Sequence, residues 1–129
     1  MANQATNYLE GKIVEHVLRN VSFTSPATVY LALFSSATDE AGSGTELAGN
    51  GYSRQAITFG AHSGGTCTNS NTVTFGPASA NWATVTDAAI MDAATTGNML
   101  IYGVLAASKT VNSGESLQFS VGQISVQVL

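Results

Sequence analysis

The stretch Thr28-Val-Tyr-Leu-Ala-Leu-Phe-Ser35 constrains the fold more than any other part of the chain. It carries no charge, and both of its alternating sets, Val29/Leu31/Leu33 and Tyr30/Ala32/Phe34, are apolar. On a strand, successive side chains point to opposite faces, so a run that is apolar on both must be covered on both. A buried helical segment is the alternative. The shortness of the run, its Ser25-Pro26 approach and its Val/Tyr/Phe content favour a central strand.

Ahead of this strand the pattern changes to a helical one. Leu9, Ile13, Val14, Val17, Leu18 and Val21 fall on one half of a wheel, opposite Lys12, Glu15, His16 and Arg19. Asn7 with Glu10 three positions later is a capping pair, predicting a helix over 7–20 as the first element. Its stripe must be buried either on the chain's own sheet or on a neighbouring subunit.

Behind the strand lies a run of strand-sized segments separated by glycine-rich turns. Residues 36–51 read as a long exposed loop, and Tyr52–Phe59 as a strand entered through Asn50-Gly51. Gly60–Ser70 is a second loop, followed by short strands at Thr72–Phe75 and Val85–Ala93. Met99–Leu105 is the second doubly apolar run and the expected partner of the first. Ser116–Val121 and Ile124–Leu129 alternate cleanly and read as a hairpin turning at Gly122-Gln123, with the end Val128-Leu129 covered by a sheet or a neighbour. The fold class expected is mainly β: an antiparallel β-sandwich or small barrel of about seven strands with one N-terminal amphipathic α-helix. The 129 residues suit one domain, 1–129, with helix in 1–21 and a β body over 28–129.

Composition limits the function classes. Charged residues are 9% of the chain, against roughly 25% in an ordinary soluble domain. Four cations against eight acids, net −4, cannot form the basic patch that nucleic acid requires. A surface of Ser, Thr, Asn, Gly and Gln in place of charges suits packing against copies of itself or a large partner. No cationic segment followed by an apolar one opens the chain, and no run reaches the ~18 apolar residues of a membrane span, so neither export signal nor membrane is expected.

Residues able to do chemistry are present without the company that chemistry needs. His16 lies on the polar side of the helix and His62 in a Gly-Ser loop, neither at a ligand or triad spacing. Cys67, the single cysteine, has no basic neighbour to favour its thiolate and no partner for an intrachain disulfide. Asp87 and Asp92 are five positions apart and so face opposite sides of a strand, which rules out a paired-carboxylate site. The glycines 42, 44, 49 and 51 lack the lysine and the strand–loop–helix setting of a phosphate loop. The expectation is a protein that is not an enzyme and holds neither metal nor cofactor. Arg54, the one arginine of the β region, is expected either to pair with Glu46, Asp87 or Asp92 or to meet a partner.

Longer stretches carry a resemblance. Thr-Val-Tyr-Leu-Ala-Leu-Phe (28–34), Gly-Thr-Glu-Leu-Ala-Gly-Asn-Gly-Tyr-Ser-Arg-Gln (44–55) and Ile-Thr-Phe (57–59) resemble a family of small bacteriophage virion proteins. So do Val-Thr-Phe (73–75), Ala-Asn-Trp-Ala-Thr-Val-Thr (80–86), Ile-Met-Asp-Ala-Ala-Thr-Thr-Gly-Asn-Met-Leu (90–100) and Lys-Thr-Val-Asn-Ser-Gly-Glu (109–115). Such proteins are labelled phage tail fibre proteins, and similar ones serve as head decoration or cement proteins. The resemblance implies a structural protein made in the host bacterial cytoplasm and placed in the virion. A distal fibre needs a long trimeric shaft, which favours capsid decoration or cement over a tail role for a chain of this length. The partners implied are copies of itself, a trimer first, and the major capsid protein or another virion protein. Leu9, Ile13 and Val17, a ridge at i, i+4, i+8, together with Arg54, are the candidate assembly residues. A carbohydrate-binding β module is the competing class. It would need aromatics exposed on loops, whereas Tyr30, Phe34, Phe59, Tyr102 and Phe119 fall inside strand patterns.

Overall fold

In the computed structural model, which describes residues 2–127, the doubly apolar run forms strand β2 (Val29–Phe34). Before it come β1 (Ala2–Ala5) and α1 (Asn7–Leu18). After it come β3 (Gln55–Ile57), β4 (Thr66–Thr68), β5 (Val73–Phe75), β6 (Val85–Met91), β7 (Met99–Lys109), β8 (Leu117–Phe119) and β9 (Ser125–Gln127). The fold is mainly β, as the strand patterns required, with nine strands among the described residues where about seven were expected.

Five strands form one antiparallel sheet in the order β1-β7-β6-β2-β3. The expected pairing of β2 with β7 is corrected: β6 lies between them, pairing Leu31 with Ile90 and Ile90 with Ile101. All three strands bury residues on both faces, and that shared feature does not distinguish the order. The expected hairpin of the last two strands is corrected too. A turn at Ser120–Gln123 joins β8 and β9, but they diverge, β8 pairing with β5 and β9 with β4. These two ribbons belong to one face of the sheet. There Leu31, Leu33, Ala88 and Ile90 share a core with Val73, Phe75, Phe119, Ile124 and Val126. On the other face, Ala32, Phe34, Ala89, Met91, Met99 and Tyr102 form a smaller buried cluster. The loop over 35–46 lies against this cluster, since a Cβ at Gly42 or Gly44 would touch Met99 or Phe34. The long loop is thus the second cover that β2 demanded.

The helix is not the first element. Ala2–Ala5 forms an edge strand on β7, pairing Ala5 with Ile101 and Asn3 with Gly103. The N-cap is Thr6, not Asn7: its hydroxyl accepts from the Leu9 N–H and donates to the Met99 carbonyl 2.6 Å away. Asn20, at φ 57, reverses the chain after the helix, and the Val21 N–H returns to the Glu15 carbonyl at 3.1 Å. Val128 and Leu129 lie outside the described residues, so the expectation that this end is covered is neither met nor missed.

Candidate assembly surface

Helix α1 is anchored at its first turn and free beyond it. Thr6 is buried, the Asn7 N–H donates to the Glu40 carbonyl at 2.9 Å, and Leu9 packs against the main core. No residue of the helix is fully buried. The expected ridge therefore splits along its length: Leu9 faces inward, Ile13 is 37% exposed and Val17 69% exposed. Val14, Leu18 and Val21 extend the exposed face, Leu18 being 77% accessible. These residues leave a contiguous aliphatic surface; among the described residues the other exposed large apolar side chains are Val104 and Val121. Periodicity identified Val14, Leu18 and Val21 as apolar. Only the short reach of the anchoring turn determines that they stay uncovered.

Arg54 is placed differently. An isolated bridge between Phe34 and Glu46 brings the loop's end beside β2, and Arg54 enters from the approach to β3. Its guanidinium donates through Nε and Nη2 to both Glu46 carboxylate oxygens, at 2.9 and 2.8 Å. It also donates to the Ala93 and Thr96 carbonyls at 2.8 and 2.7 Å. The side chain is 8% exposed. Of the three carboxylates weighed for it, Glu46 is the one it pairs with, and its donors join the 35–46 loop to the turn after β6. Burial alone would raise the Glu46 carboxyl, but the Arg54 and Tyr52 bonds and the guanidinium charge overcome it and hold the group below its ordinary value. Burial, with the Glu46 bond, pushes the Tyr52 phenol well above its ordinary range.

The remaining reactive side chains are held in turns or stand alone. Asp87 accepts from the Thr38 N–H and hydroxyl at 3.4 and 3.3 Å, and Asp92 from the Asn98 N–H and carboxamide at 2.7 and 3.0 Å. His16 Nδ1 lies 3.2 Å from the Val21 carbonyl, and His62 is exposed. Cys67 lines an apolar cleft with Leu9, Ile90 and Val126. Among the described residues, no group of His, Cys, Asp and Glu is placed to hold a metal ion, and no helix is long and apolar enough to cross a membrane. Several aromatics pack on one another. Tyr52 stacks on Phe75 at 6.0 Å and meets Trp82 edge-on at 5.8 Å, and the Trp82 indole donates to the Asn50 carbonyl at 2.8 Å. That leaves no exposed aromatic platform for a sugar among Tyr52, Phe75, Trp82 and Phe119.

The model of the Podophage GP4 fiber I protein gp80 family matches residues 4–127. The chain belongs to this family. Its class is therefore that of phage fibre and virion structural proteins, in agreement with the resemblance carried by the sequence. No curated protein matches the chain.

Proposed function

We propose that this chain is a non-enzymatic structural component of the phage fibre, held in the particle through the exposed face of α1. The observation that carries this reading is the helix that leaves Ile13, Val14, Val17 and Leu18 to solvent while its first turn is locked down. Interfaces of permanent assemblies are more apolar than ordinary surface, and this face suits one. Of the residues expected to serve assembly, Ile13 and Val17 do so directly, whereas Leu9 seats the helix and Arg54 orders a loop. The partners are sister copies, a trimer first, and an adjoining virion protein.

The family's description as a fibre protein weighs for the fibre over the head. Head decoration, with the major capsid protein as partner, is the second reading. It is favoured by the described residues pairing into short strands around shared cores, with no fibrous repeat. Immunogold labelling of intact particles decides between them. Gold at the tail or its fibres is the expected result, and gold confined to the head shell would replace the fibre reading with decoration. Particles that carry no label would sink the structural role altogether.

A further inference from the structure

Between α1 and β1 runs a groove of about 340 Å³ whose wall combines two kinds of surface. Its lining includes the aliphatic Ile13 and Val14, the acids Glu10 and Glu40, and Asn3 and Gln127 on one flank. Asn3 and Gln127 are tied together, the Asn3 carboxamide donating to the Gln127 carbonyl at 2.9 Å, so that flank is fixed. The acid of Glu10 has a local reason to be there, since the first turn of a helix favours negative charge. Glu40 has none, because only its backbone carbonyl is engaged, by the Asn7 N–H. The local field is negative beyond this pair. Burial, then Glu40, Asp39 and Glu10, raise the Tyr102 phenol above its ordinary value.

Two of the chain's four cations are already paired with carboxylates elsewhere. Lys12 lies over the Tyr8 ring at 5.5 Å, Arg19 pairs with Glu15 at 2.7 Å, and Arg54 is enclosed with Glu46. The fourth cation, Lys109, is at the C-terminal end of β7. Lysine and arginine have both properties the groove asks for, an apolar stem and a charged head. We propose that this groove seats a lysine or arginine side chain of an adjoining virion protein, a chain other than this one. The stem lies on Ile13 and Val14, and the head is held between Glu10 and Glu40. The inference rests on reading α1 as the assembly surface, because the groove's aliphatic wall continues into the exposed face of Val17 and Leu18.

The test uses full-length chains supplied in trans to a phage lacking the gene, with copies per particle counted by quantitative mass spectrometry. Neither carboxylate has a side-chain partner among the described residues, so E10Q/E40Q should stay folded, its melting curve lowered only by the small contribution of a first-turn acid. Its copy number should fall ~10-fold, and E10K/E40K should fall further. Glu15→Gln, on the same helix but paired with Arg19, should incorporate normally. E10Q/E40Q present at the wild-type copy number overturns the groove while leaving the structural role intact. Absence of the wild-type chain from particles overturns both. Lys109→Gln should incorporate normally; if it falls as far as E10Q/E40Q, the cation comes from a second copy and the assignment to another protein is wrong.

Discussion

At the scale of single residues, the Glu46–Tyr52–Arg54 cluster shows how a long-range pairing chooses among partners that look equivalent in sequence. Tyr52 donates to Glu46 at 2.7 Å and accepts from the Leu33 N–H at 3.1 Å, so the cluster also touches the backbone of β2. Arg54→Ala would leave a half-buried carboxylate and two carbonyls without their donor, costing about 2–4 kcal/mol in a denaturant melt. Arg54→Lys keeps the charge but loses the fork, and should recover less than half of that loss. Two pH effects follow. The folded Glu46 value is lowered, so its contribution is present above the unfolded value near 4.5 and lost as pH falls through the folded one. The folded Tyr52 value is raised, so its contribution is full below the unfolded value near 10.0 and declines as pH rises beyond it. Tyr52→Phe should flatten the alkaline limb of a plot of melting temperature against pH, and an unchanged limb would assign that limb to other groups. Sequence narrowed the partner of Arg54 to three acids. The choice of Glu46 depends on the Phe34–Glu46 bridge, which no local pattern announces.

At the scale of elements, the legible strands were those whose own side chains required burial, and their mates were not legible. Leu31 and Leu105 belong to runs that are apolar on both faces, and the run holding Ile90 alternates imperfectly but ends in the apolar pair Ile90-Met91; each was identified. Alternation says that a segment is a strand without saying what lies beside it. For that reason β8 and β9 read as a hairpin although a turn of the same residues leads them into separate ribbons. Strand β1 was missed because Ala2-Asn-Gln-Ala has no β-branched or aromatic residue, its place coming from backbone pairing with β7. Removal of residues 1–20 is therefore more than the loss of a helix. It takes away an edge strand and the buried Thr6 cap as well as a helix, and should lower the melting temperature well below that of Val17→Asp. Thr6→Ala isolates the cap. The loss of its bond to the Met99 carbonyl and of the first-turn acceptor should cost about 1–2 kcal/mol. A melting curve unchanged by Thr6→Ala would mean that Leu9 and the Asn7–Glu40 bond hold the helix without the cap.

At the scale of the whole molecule, two apolar surfaces have opposite fates. The second face of the sheet is covered from within, by a loop whose hydrogen bonds to Asp87 and to the helix start hold it down. Among the described residues nothing covers the face of α1 in that way, although burying a valine or leucine fully is worth about 1.5–3 kcal/mol each. An assembly of sister copies would recover part of that at every subunit contact. Light scattering of the isolated chain should therefore give a mass that climbs with concentration towards a trimer. Val17→Asp with Leu18→Asp tests the cause. Both positions are more than two-thirds exposed, so the double variant should fold with a near-wild-type melting curve. In an assembly the same changes would place charge inside an apolar contact, and a loss of several kcal/mol corresponds to more than a hundredfold in affinity. The variant should scatter as a monomer at concentrations where the wild type is oligomeric. If both scatter alike at every concentration, sister copies do not cover this face. The apolar ridge would then belong to contacts with another virion chain, the same one that the acidic groove beside it is shaped to meet.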